Sequence, residues 1–252
     1  MTRTTQPYSL LALAAAVSIA VAAAILAPSI TSAGGNGGGG SGKLDPNDFS
    51  TTIDNPLFPL SNLETKIFEG QETDPDTGEI VSASLISTVL PRSARVAGID
   101  VLVLEESAYE DGELIERALD FFAQHKDGTV YYFGEKVDNY VDGKVADHDG
   151  SWLAGKDGAA PGIIMPAHPA VGQFFNQENA PGVAEDQAEI KALNQSVSTP
   201  AGNFTGCVKT EDTSPLDPGI VDFKWYCPGI GLVRDEGPDG FVELVSYTTD
   251  DN

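Results

Sequence analysis

The sequence predicts an all-β protein, an antiparallel meander that forms a curved sheet, half-barrel or barrel, with a sandwich as the alternative and few or no helices. Three observations lead there. Asp-Gly pairs recur at Asp111-Gly112, Asp127-Gly128 and Asp142-Gly143, and both residues tolerate the positive φ that a two-residue hairpin turn requires. Between them lie IDVLVLEESAYE, LIERALDFFAQH and VYYFGEKVDNYV, rich in the β-branched and aromatic residues that suit a pleated surface. Short runs of the same kind, among them TKIFEG, IVSASLISTVL, FTGCVKT, VDFKWYC and FVELVSY, bring the count to roughly ten strands joined by turn residues, enough to curl a sheet.

From the N-terminus, residues 1–33 read as a secretory signal: Arg3, an apolar run from Leu10 to Ala27, and the small-residue ending Thr31-Ser32-Ala33. An uncleaved membrane anchor is the alternative, because the apolar run is at the lower limit for spanning a bilayer. The glycine-rich stretch GGNGGGGSG begins a flexible linker over residues 34–54. Its formal G-x-G-x-x-G match has neither the preceding strand nor the following helix that a dinucleotide site needs. A single β domain is expected over residues 55–249.

The hairpin turns predict strand register. Centring the first on Asp111-Gly112 sets Ile115 beside Ala108, Arg117 beside Glu106, Leu119 beside Leu104 and Phe121 beside Leu102, an apolar face that reads as core. The second turn sets Phe122 beside Phe133 and Tyr132 beside Ala123, with aromatics on both faces. Residues 183–195 suit a helix by composition and a strand by surroundings.

Cys207 and Cys227 are the chain's two cysteines. They flank the turn-rich TSPLDPG, so a hairpin there places them nearly opposite, and an exported chain meets oxidising conditions. A disulfide is expected.

The net charge of −24 excludes nucleic acid and anionic membrane surfaces as natural partners. GSWLAGKD, residues 150–157, lacks the Ser or Thr that follows the lysine of a phosphate loop, and Pro161 follows where a helix should open. No nucleotide, metal or other cofactor is expected. His125, His148 and His168 show no metal-ligand spacing. Asp74–Glu79 and Asp138–Gly150 concentrate oxygen ligands for calcium, but both read as Asp/Gly turns. The neighbouring acids Glu105-Glu106 and Glu185-Asp186 read as solvated rather than as a glycosidase dyad.

NPLFPL (55–60), LDFFAQHKDGTVYYFGE (119–135), GSWLAGKDGAAPGIIMPAHPAVGQFF (150–175) and WYCPGIGLV together resemble a family of exported bacterial proteins without an established activity. Against that family's pattern, His125, Lys156, His168 and Cys227 are departures, the last making the disulfide a local addition. The C-terminal strands are also similar to envelope proteins with open β-barrels such as periplasmic lipoprotein carriers, which implies an apolar cavity.

These readings lead to a secreted or envelope protein that binds a small apolar or lipid-like ligand. The ligand residues expected are Trp152, Ile164, Met165, Phe122, Tyr131 and Phe133, with residues 150–169 as a fixed flap across one end of the sheet. A surface interaction or structural protein is the alternative, and an extracytoplasmic hydrolase the third reading. Contact with a membrane is expected only through a retained signal.

Overall fold

The computed structural model describes residues 44–74 and 77–249. The expected signal and the glycine run of the linker lie outside them. The strands are β1 (Phe49–Ser50), β2 (Leu63–Thr73), β3 (Ile80–Val96), β4 (Ile99–Glu110), β5 (Glu113–His125), β6 (Val130–Val141), β7 (Lys144–Asp147), β8 (Trp152–Leu153), β9 (Gly162–Met165), β10 (Phe174–Asn176), β11 (Gln187–Thr199), β12 (Gly202–Thr213), β13 (Asp222–Cys227), β14 (Gly231–Glu236) and β15 (Gly240–Thr249). They make one antiparallel sheet in the order β10-β11-β12-β13-β14-β15-β2-β3-β4-β5-β6-β7, with β1 attached to β5 and with β8 and β9 attached to β6. The all-β, curved-sheet expectation holds, and the segment of ambiguous composition is largely strand β11.

Asp111-Gly112 and Asp142-Gly143 turn the chain as expected, with φ of 47° and 82° in the first and 53° and 69° in the second. The register after the first turn differs from the expectation. Tyr109 faces Leu114 but Ala108 faces Glu116, so Ile115 is left as a β-bulge. Every later residue of β5 is thereby displaced by one, and a displacement of one exchanges the two faces. Glu116, Ala118, Asp120 and Phe122 turn inward in place of Ile115, Arg117, Leu119 and Phe121. Arg117 pairs with Asp138 at 2.8 Å instead of Glu106. Beyond the second turn Phe122 faces Tyr132 and Ala123 faces Tyr131, again one residue from the expected partners.

The segment expected as the end of the linker belongs to the fold. Phe49 and Ser50 pair with His125 and Gln124, and residues 53–60 cross one end of the sheet. Gln124 Oε1 accepts from the backbone N–H groups of Asp54 and Asn55, at 3.0 and 2.8 Å. At the far side Gly229 N–H donates to Pro56 O at 2.8 Å. Ile53, Phe58 and Leu60 are buried, so this segment closes one end of the sheet's interior with apolar side chains.

Residues 150–169 are not a flap across an end. Trp152 and Leu153 pair with Glu135 and Gly134, and Gly162, Ile163 and Met165 pair with Tyr132, Tyr131 and Val130. The prolines and glycines make the bends between two short strands on the free edge of β6. There the two ends of the sheet approach without a ladder: Ala160 N–H donates to Asn179 O at 2.9 Å, and a Cβ on Gly162 would lie 1.9 Å from the backbone oxygen of Gln177. Gly162→Ala is accordingly expected to cost about 1–3 kcal/mol through forced backbone displacement. Urea unfolding of the variant measures this cost, and Gly158→Ala, where a Cβ would meet nothing within 4 Å but φ is +89°, gives for comparison the cost of backbone strain without a clash.

Candidate functional site

Alternation along each strand decides what the sheet encloses. On β4 to β6 the inward set includes Glu106, Glu116, Asp120 and Glu135, all buried. On β12 to β14 it includes Thr210, Asp212, Lys224 and Asp235. Tyr226 of β13 feels the charge of Glu106 of β4, although β14, β15, β2 and β3 separate them in the ladder. Only a sheet curled with this face inward brings the two together. Glu178 and Asp186, from the connection before β11, and Lys66 of β2 join the same interior. Among the described residues, the enclosed face thus has a strongly acidic belt with Lys66 and Lys224 as its buried cations.

Such a belt cannot be buried fully ionised. Burial, reinforced by the charge of Glu106, pushes Glu116 up to about 8. Burial and then Glu106 also hold Asp120 well above the usual carboxylate range, while the Tyr132 hydroxyl donates to its Oδ1 at 2.7 Å. Asp235 is pushed up to about 7 by burial, against the opposing pull of Lys224. Lys224 Nζ lies 3.2 Å from Asp212 and 3.8 Å from Asp235. Lys66, buried over the ring of Phe68, is pushed down to about 8 although Glu106 opposes the shift.

An aromatic column borders the belt. Phe58, from the segment closing the sheet end, packs on Phe122 at 5.2 Å. Phe122 stacks on Tyr132 at 4.7 Å, and Trp152 meets Tyr132 edge-on at 5.4 Å. The Trp152 indole N–H donates to Glu178 Oε1 at 3.2 Å. Glu135 and Glu178 are both 1% exposed, and neither Glu135 oxygen has a donor among the neighbouring groups. Glu135 can therefore engage Glu178 only by carrying the proton of the pair. Burial and then the nearby Glu178 charge raise its pKa well above the usual range, as burial and Asp186 do for Glu178.

At the β6 edge, with Glu135 of this pair and Ser151 in its lining, is a pocket of about 210 Å³. Trp152, Leu153 and Ala159 make one wall and Ala180, Pro181 and Val183 the other, with Lys136, Lys156 and Asp157 also lining it.

The expected ligand residues separate in space. Trp152 lines the pocket, and Phe122 belongs to the column behind it. Tyr131 and Phe133 lie under Phe49, with edge contacts of 5.5 and 5.6 Å. Ile164 and Met165 are fully buried in β9. The neighbouring acids divide by face: Glu106 and Asp186 are buried, whereas Glu105 and Glu185 are not. Glu135 carried no signal beyond its place on a strand whose register the bulge had shifted, and Glu178, in the connection between β10 and β11, carried none. Among the described residues no group of three His, Cys, Asp or Glu side chains is arranged to hold a metal ion. His125 and His148 lie 3.0 Å from Asp127 and Asp138.

Comparison with known proteins finds no matching family model and no matching curated protein. Among solved structures, a proposed lipoprotein from Parabacteroides distasonis is similar with a TM-score of 0.40 and 15% identity, over 76% of this chain and 98% of that one. Among the described residues no helix is long and apolar enough to cross a membrane.

Proposed function

We propose that the protein is an extracytoplasmic binding protein for a small amphipathic anion, held in the Trp152 pocket. The carrying observation is the pocket's composition: apolar walls with Lys136 and Lys156 beside the single exposed acid Asp157, and with Glu135 buried at its base, in a chain with 14 Lys and Arg against 38 Asp and Glu. An apolar tail would lie against Trp152, Leu153 and Val183, and an anionic head would meet the two ammonium groups. At about 210 Å³ the pocket suits a short chain or one end of a longer one. A lipid-like ligand is placed here rather than inside the sheet, where ionisable groups occupy the space. The extracytoplasmic assignment draws support from the Cys207–Cys227 disulfide.

Calorimetry with octanoate, octanol and octyltrimethylammonium tests the reading. Octanoate is expected to bind most tightly and octyltrimethylammonium least. Replacing Lys136 and Lys156 by Gln should weaken octanoate about five- to tenfold, leave octanol unaffected, and reduce the salt dependence. Equal affinity for the anion and the cation would overturn it.

A further inference from the structure

The buried acid pair sits where the two walls of the pocket are joined. Trp152, on the first wall, is backbone-paired with Glu135. Glu178 lies on the same connection as Ala180, Pro181 and Val183 of the second wall. The Trp152 indole bond to Glu178 at 3.2 Å, with Glu135 next to Trp152 in the ladder, therefore ties wall to wall at the base of the pocket.

We infer that Glu135 and Glu178 form a proton-dependent clasp, so that loss of their shared proton opens the pocket and releases its ligand. The release step rests on the binding function proposed above; the clasp itself rests on the Trp152–Glu178 bond, the Trp152–Glu135 pairing and the burial of both carboxyl groups. Glu135 Oε1, Glu135 Oε2 and Glu178 Oε2 are buried oxygens without a donor, so without the proton two carboxylates face each other in a site shielded from water. The surroundings add repulsion. Asp120 and Glu116 face Glu135 from β5, and Asp186 faces Glu178 from its own connection. Lys224 of β13 acts on Glu178 but already serves Asp212 and Asp235, and Lys136 and Lys156, which line the pocket with Glu135, are exposed. The Tyr132 hydroxyl is committed to Asp120. Deprotonation therefore places a second charge in a buried acidic cluster, which separation of the walls and entry of water relieve.

Trp152 reports the event directly. In a W225F background it is the sole tryptophan, since the chain has two. Between about pH 5 and pH 10, its emission is expected to shift to longer wavelength as the pair loses its proton. Over the same interval the Kd for octanoate should rise by up to about tenfold per pH unit. In E178Q, where the amide bonds both Trp152 and Glu135 without a shared proton, emission and Kd should lose this dependence. The indole N–H resonance of Trp152 in the unmutated chain, assigned by its loss in W152F, provides the same reading if W225F folds poorly. Emission that titrates while octanoate binds at no pH removes the ligand reading and leaves the clasp standing. Octanoate affinity and Trp152 signals that stay constant with pH, or that titrate identically in E178Q, overturn the clasp.

Discussion

Raising the pH from about 4.5 to about 8 is expected to destabilise the folded protein by several kcal/mol and to lower its Tm by roughly 10–20 °C. Glu116 illustrates the sign. Its carboxyl titrates at 4.5 when exposed and at about 8 in the fold, because burial and then the charge of Glu106 oppose ionisation. Between those values the folded state holds a proton that the unfolded chain has released, so stability is complete below 4.5 and declines as pH rises through about 8. A shift of that size corresponds to about 5 kcal/mol as an upper bound for one group. Asp235, raised by burial from 3.8 to about 7, acts in the same direction. Lys66 acts oppositely at higher pH: burial lowers it from 10.5 to about 8, so the unfolded state is the more protonated between those values and stability recovers there. Thermal unfolding across this range should show a maximum on the acid side of neutrality, and Glu116→Gln should flatten the decline. A maximum near pH 8 would contradict the account.

Opening the Cys207–Cys227 disulfide is expected to cost about 3 kcal/mol, from the restored freedom of an unfolded loop spanning 20 residues. The bond joins β12 to β13 beside the Val208–Tyr226 pair, and both cysteines are completely buried. Because the loss arises in the unfolded chain and leaves the buried carboxyl groups of the fold as they are, stability should fall by a similar amount at every pH between about 4.5 and 7. Urea unfolding with and without reductant measures it, and a difference below about 1 kcal/mol would show that the reduced chain retains the same loop in its unfolded ensemble.

The disulfide shows what was legible in the sequence. Its two cysteines, the turn between them and the hairpin were all local, as were the Asp-Gly turns at 111 and 142. The face of β5 was not. Its sequence LIERALDFFAQH has apolar residues at both alternations, and the odd set, with Ile115, Leu119 and Phe121, is the more apolar. The bulge at Ile115 reverses that choice, and a bulge is set by the partner strand and twist rather than by a side-chain signature. That single residue hid the acidic interior, because the expected register puts Glu116 and Asp120 on the face opposite the core. Within residues 183–195, whose composition is compatible with a helix, the chain from Gln187 onward forms a strand, since pairing with β12 along its length outweighs propensity. In the candidate site Trp152 was legible from its rigid Pro/Gly surroundings. Its partner Glu178 lies 26 residues away, and nothing local marks it.

The acidic interior rests on buried carboxyl groups that keep their protons, and side-chain ¹³C shifts of the glutamates measured across a pH titration test this most directly. The account predicts that Glu116 remains protonated at about pH 6 and titrates near 8. A Glu116 resonance that ionises with the exposed glutamates by about pH 5 would contradict it.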